Sequence, residues 1–194
     1  MMRRIVLACL LAGLVVLAAG CGSKKHSTAT SAPPSILPLA KTPDQWATRI
    51  VELILRPLNQ DLQVVNGFNT PQVIIYIANK NQTTLNIIRR RTNDLALCSK
   101  KLIAIGPPPN NRPQLGPVNL ELSRACTSYV KIAETLKKAT LEISSGRADV
   151  VAEGRALLVK MKPDTHAAAT HFRAFLRLAQ KLPEFRRAGL QPSA

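Results

Sequence analysis

Two cysteines of this 194-residue chain, Cys98 and Cys126, are spaced so that their thiols could form a disulfide bond. Residue 112 lies midway between them and is also the centre of the proline-rich loop Gly106–Val118. In an antiparallel hairpin of helices, residues equally distant from the centre of the loop lie at the same height. We therefore expect Cys98 and Cys126 to be bonded across two helices, with two separate buried thiols as the alternative.

Neither the histidines nor the carboxylates form a pattern that is typical of catalysis. His166 and His171 are five residues apart, about 140° around a helix, so they do not share a face as two metal ligands would. The 11 acidic residues are scattered without the pair that glycoside hydrolysis requires. The sequence also contains no nucleophile elbow and no glycine-rich phosphate loop. These observations predict a protein without enzymatic activity, metal site or cofactor.

The N-terminal residues follow the pattern of an export signal. Arg3 and Arg4 precede an uncharged apolar run over residues 5–19, and the small residues Ala19 and Gly20 then precede Cys21. The run is shorter than the roughly 20 residues that span a bilayer. We therefore expect residues 1–20 to be a signal peptide that is cleaved.

This segment resembles the signal peptide and lipobox of bacterial lipoproteins, although Ala18 stands where that family prefers leucine. The resemblance covers about a tenth of the chain and implies that Cys21 receives diacylglycerol on its thiol. It also implies an anchor at the extracytoplasmic face of the cell membrane, or of the outer membrane in a host with two membranes. An uncleaved N-terminal helix, or ordinary secretion with cleavage nearby, is the alternative. In the lipoprotein case Cys98 and Cys126 lie in an oxidising compartment, which favours the disulfide.

Composition divides the remainder into a tether, a domain and a tail. Residues 21–41 are rich in Ser, Thr, Ala and Pro without a helical or strand period, which is typical of a flexible linker. Residues 42–187 carry helix caps and apolar periods and form the predicted domain. Residues 188–194 are expected to be a disordered tail.

Helix signals predict an all-α domain, an up-and-down bundle of four or five antiparallel helices with one disulfide. Its third helix has the clearest period, in which apolar positions alternate by four and three residues. The first predicted helix starts at Thr42-Pro43 and has a kink or an end at Pro57. The second runs from Thr70-Pro71 to about Ile105, and the third is defined by the Leu122–Ile143 period. The fourth spans about Arg147–Met161, and the last starts at Pro163-Asp164.

The second predicted helix has polar residues where a strict apolar period would place its buried face. Asn81, Thr84 and Arg91 would then line a polar cavity for an anionic or polar ligand inside the bundle. Alternatively the buried face drifts around the helix and leaves these three residues half exposed. The drifted stripe consists of Leu85, Ile88, Thr92 and Leu95.

The chain is strongly basic, with 27 Lys and Arg residues against 11 Asp and Glu. Outside the cytoplasm such a charge favours phospholipid head groups, anionic wall polymers or acidic proteins as partners, and not nucleic acid. A solvated surface with general affinity for the negative envelope is the simpler interpretation. The candidate partner-binding residues are Arg89, Arg90, Arg91, Arg173, Arg177 and Lys181.

Two functional hypotheses follow from these features. The first is a non-enzymatic accessory or structural lipoprotein that binds an envelope partner through the basic helical faces. The second is a carrier of a lipid or another anionic small molecule within the helical bundle.

Overall fold

The computed structural model describes residues 37–58, 67–68 and 70–191. The predicted signal peptide, Cys21 and most of the tether lie outside the described residues. Every regular element within these ranges is helical, which confirms the all-α prediction. The elements are α1 (Pro43–Ile50), a π-helical segment (Val51–Leu55), α2 (Pro71–Ala78), α3 (Gln82–Ala96), α4 (Cys98–Ile105), α5 (Leu115–Ser144), α6 (Ala148–Lys160), α7 (Lys162–Ala179) and α8 (Pro183–Arg187).

The first helix begins at the cap that the sequence predicts and continues past Pro57. Thr42 Oγ1 accepts the N–H of Gln45 at 3.2 Å, and Pro43 occupies the first helical position, where no N–H is needed. Helical backbone extends to residue 58, so Pro57 does not end the helix. The wider π-helical turn lies just before Pro57, where a proline ring would crowd a regular α-turn.

The prediction of one continuous helix from Pro71 to Ile105 is wrong. It is interrupted between α2 and α3, where Lys80 adopts a left-handed conformation with φ of 54°. Asn81 then caps α3, because its side chain accepts the N–H of Thr84 at 3.0 Å. A second junction, at Leu97, separates α3 from α4. The last predicted helix is likewise divided, since α7 ends at Ala179 and Pro183 opens α8.

Helix α5 is the longest element and packs against α3, α4, α6 and α7. The apolar period predicted for it is confirmed, because six of its seven positions are buried. The buried positions are Leu122, Cys126, Tyr129, Ala133, Leu136 and Ile143. On the α6 side, Gly154 allows a close approach: a Cβ there would lie 2.8 Å from Ile143 Cγ1 and 3.0 Å from the carbonyl oxygen of Ala139.

A row of aromatic side chains links the first and last helices to α5. Four successive ring pairs have centroids 5.9 to 6.2 Å apart, and three of the four are edge-to-face. This arrangement is the one that ring quadrupoles favour. In order, the row consists of Trp46, Phe185, Phe175, Phe172 and Tyr129.

Side chains of α1 and α8 bond to the loop between α4 and α5 at two points. The indole Nε1–H of Trp46 donates to the carbonyl oxygen of Gly106 at 3.1 Å. Arg112 Nε donates to Glu184 Oε1 at 2.7 Å, and Glu184 is only 4% exposed. This ion pair supplies a partner to a carboxylate that would otherwise be buried at high cost. Beyond α8, Leu190 N–H bonds to the carbonyl oxygen of Phe185, and residues 192–194 lie outside the described residues.

The structure confirms the predicted disulfide. Cys98 is the first residue of α4 and Cys126 lies in α5, with their Cα atoms 5.2 Å apart. Both residues are buried. The rule of equal distance from residue 112 therefore identifies the register of this hairpin, although α3 and α4 are separate helices.

Replacing both bonded cysteines, Cys98→Ala with Cys126→Ala, should lower the free energy of unfolding by about 3–4 kcal/mol, because the unfolded chain gains freedom. Urea unfolding followed by circular dichroism measures the change. Reduced wild-type protein is the control and should match the variant within about 1 kcal/mol. A loss below about 1 kcal/mol in both would contradict the prediction.

Candidate functional site

The basic residues predicted from sequence lie on separate surfaces. Arg173, Arg177 and Lys181 are exposed along α7 and just beyond its end. Arg89 and Arg90 are exposed on α3, whereas Arg91 is half-buried. In the part of the chain that the structure describes, Arg173, Arg177 and Lys181 have no carboxylate within ion-pair distance. They are therefore available to an anionic partner.

One of the predicted arginines, Arg89, lines an open groove between α3 and α5. The groove has a volume of about 480 Å³. That size lies within the range of about 300–1,000 Å³ that is usual for small-molecule sites. Its described lining residues are Gln82, Leu85, Asn86, Ile88, Arg89, Thr92 and Asn93 from α3, and Lys137, Thr140, Leu141 and Ser144 from α5.

Three aliphatic side chains and two threonines give the groove an amphipathic surface. Leu85 is half-buried, Ile88 is buried, and Leu141 is 72% exposed. The hydroxyls of Thr92 and Thr140 each donate to the carbonyl oxygen four residues earlier, at 2.6 and 2.7 Å. Their hydroxyl protons are thus used within their own helices and are not available to a ligand.

The charged side chains of the groove are both positive. Arg89 and Lys137 contribute to its wall, and no acidic residue is among its described lining residues. The Arg89 Nη2 donates to Asn86 Oδ1 at 2.9 Å, which orients the guanidinium and leaves its other N–H groups free for an acceptor. The described wall of the groove can therefore attract an anion.

The polar positions of the second predicted helix do not form the cavity considered from the sequence. Asn81 is an exposed cap residue, and Thr84 and Arg91 are half-buried. The buried face follows the drifted stripe, with Ile88, Thr92 and Leu95 buried and Leu85 packed against the core. Three residues of this stripe, Leu85, Ile88 and Thr92, also line the groove, which has Arg89 and not Arg91 in its wall.

Lys137 and the other α5 residues of the groove were missed from the sequence. Counting from the loop gives their height along the hairpin but not the face on which they lie. Equal distance from residue 112 places Arg89 opposite residue 135, which is close to Lys137 along α5. That both cations line one groove is shown only by the structure.

The histidines do not form a metal site in the described ranges, where no group of three or more potential ligands occurs. His166 is exposed. His171 Nδ1 lies 2.8 Å from Glu121 Oε2, and Arg124 Nη1 donates to Oε1 of the same carboxylate at 3.0 Å. The hydrogen bond with His171 is the main cause that lowers the pKa of Glu121 below its ordinary value of 4.5, although burial opposes it. This cluster joins α5 to α7 and is structural.

Glu121→Gln should lower stability near neutral pH, because the charged carboxylate is favoured in the folded state. The pKa of Glu121 is lower in the folded chain than its ordinary 4.5. Its contribution is therefore complete above that value and is lost as the pH falls through the folded-state pKa. Urea unfolding at several pH values from about 6 to 3 measures the difference between wild type and variant.

Glu134→Gln is the matched control, since Glu134 is an exposed glutamate of the same helix. This variant should leave the pH profile unchanged. A wild-type advantage over Glu121→Gln that persists unchanged to the lowest pH would contradict the assignment.

Comparison of the chain with protein-family models, with curated proteins and with solved structures finds no match. The interpretation of the site therefore depends on its geometry and charge. Within the described ranges, no helix combines the length and the apolar character that crossing a membrane requires.

Proposed function

We propose that this protein is a lipoprotein anchored through Cys21 at the extracytoplasmic face of a membrane, where it serves as a non-enzymatic accessory or structural protein. Its folded domain binds an acidic envelope protein, or an anionic lipid or wall polymer, through basic helical surfaces. We also propose that the helices of this domain are arranged as an up-and-down bundle.

The observation that carries the proposal is the exposed basic surface of α7. Arg173 and Arg177 are four residues apart on one face of α7, and Lys181 follows two residues after the end of the helix. Elsewhere in the described residues, arginines such as Arg112 and Arg187 are paired with carboxylates. Unpaired cations that are aligned and solvated increase the rate and selectivity of association with an anionic surface.

The Cys98–Cys126 disulfide supports the extracytoplasmic location. Structural disulfides form and persist in oxidising compartments and are rare in the cytosol of mesophiles. Both cysteines of this bond are buried. A buried disulfide favours a structural role over thiol exchange, because an attacking thiol cannot reach it.

The anchor is tested by Cys21→Ala in cells fed a radiolabelled fatty acid. The variant should lose the label and leave the membrane fraction, because one peripheral domain without acyl chains has no comparable anchor. Ser23→Ala is the matched control and should stay labelled and membrane-bound. A Cys21→Ala protein that remains in the membrane fraction to the same extent would contradict lipid anchoring.

The basic surface is tested by in-cell cross-linking of the anchored protein, followed by mass spectrometry. The triple variant Arg173→Glu, Arg177→Glu and Lys181→Glu should lose the cross-linked partner that wild type retains, because its surface repels an anion. The control carries Lys100→Glu, Lys131→Glu and Arg155→Glu, which make the same change of charge at exposed positions on other helices.

Partner capture that is lost in the α7 variant and kept in the control would support a specific interface. Equal loss in both variants would instead indicate general charge-driven adhesion and would overturn the assignment to α7. No loss in either variant would contradict the basic-surface proposal altogether.

The carrier hypothesis in its original form is less well supported, because it requires space inside the bundle. The centre of the domain is filled by large side chains such as Trp46, Phe175 and Phe185, all of them fully buried. The open groove between α3 and α5 lies at the surface and not in this filled centre.

A further inference from the structure

We infer that the groove between α3 and α5 is a binding site for a single-chain anionic amphiphile, an acyl chain that ends in a carboxylate. The inference goes beyond the accessory function and does not depend on it, because the groove and the α7 surface share no residue. It also moves the ligand site from the interior of the bundle to its surface.

The dimensions of the groove suit one extended chain. Its α3 wall runs from Gln82 to Asn93, which at 1.5 Å per residue is about 16 Å. Its volume of about 480 Å³ is that of a small-molecule site.

The aliphatic residues provide the contact surface for the hydrocarbon. Leu85 and Ile88 line the α3 side, and Leu141 lines the α5 side. Leu141 is 72% exposed in the free chain. An acyl chain in the groove would cover this side chain and remove its apolar surface from water.

The charges select the head group. Arg89 and Lys137 are both in the wall, and the described lining contains no carboxylate to neutralise them. Asn86 holds Arg89 in position by accepting one of its N–H groups at 2.9 Å. A planar carboxylate accepts two parallel N–H bonds from a guanidinium, which makes it a favourable head group for this wall. A cationic amphiphile of equal length would be repelled.

The test is isothermal titration calorimetry with laurate, kept below its micelle concentration. The protein is the whole exported chain carrying Cys21→Ala, so that no detergent competes for the groove. Laurate should bind at one molecule per chain, and dodecyltrimethylammonium should bind about tenfold more weakly or not at all. Absence of laurate binding, or equal binding of the cationic probe, would overturn the inference.

Two charge variants locate the site. Arg89→Ala with Lys137→Ala should weaken laurate binding about tenfold or more. Arg90→Ala with Lys131→Ala is the matched control, since it removes the same charges from neighbouring exposed positions outside the groove lining. The control should change the affinity by less than about threefold. Equal weakening in both variants would show binding by net charge and would overturn the inference.

A third variant tests the apolar half of the site independently of the cations. Leu141→Asn removes the aliphatic surface without adding a charge, at a side chain that is 72% exposed and lies outside the buried core. Circular dichroism checks the fold. A folded variant should lose laurate binding by about tenfold or more, and unchanged binding would overturn the assignment of this groove.

Discussion

The aromatic row from Trp46 to Tyr129 holds the described domain together. Aromatic residues are few, and five of the seven in the chain belong to this row. Each ring pair contributes about 0.5–1.5 kcal/mol beyond the burial of its area. Because Trp46 comes from α1, Phe185 from α8 and Tyr129 from α5, the row connects the beginning, the end and the centre of the domain. The bonds of Trp46 to Gly106 and of Glu184 to Arg112 attach the α4–α5 loop to the same end.

Much of this arrangement could be predicted from periodicity and symmetry. The cap at Thr42, the buried face of α5 and the pairing of Cys98 with Cys126 all follow from patterns that are local or centred on one loop. The interruption between α2 and α3 was missed because it depends on Lys80, which takes a conformation that few side chains adopt. The lapse of the apolar period at Asn81 and Thr84 was interpreted as a polar stretch within one helix. The π-helical turn before Pro57 depends equally on backbone detail that composition does not reveal.

The candidate site was predicted in part. Arg89 was a candidate because of its charged neighbourhood, whereas Lys137 carries no sequence signal of its own. A groove arises from the way two helices diverge along their contact. The apolar period of a sequence describes the faces of one helix and not its spacing from the next. Of the two interpretations of the polar positions on α3, the structure bears out the drifting buried face and not the cavity. Burial drifts around α3 by the small difference between the residue repeat and the helical turn. Glu121, by contrast, is held by His171 and Arg124 in a cluster that joins α5 to α7.

The position of the disulfide also determines how the chain, exported as proposed, can reach its oxidised state. Its two cysteines are 28 residues apart, on consecutive parts of one hairpin, so that the bond needs none of α6, α7 or α8 to bring its thiols together. Domains begin to fold as their N-terminal parts emerge, and contacts that are close in sequence form before distant ones. With Cys9 removed and Cys21 acylated, as proposed, only one pairing of thiols remains. Oxidation of this protein therefore has a single product, and its maturation requires no step in which wrong disulfides are rearranged.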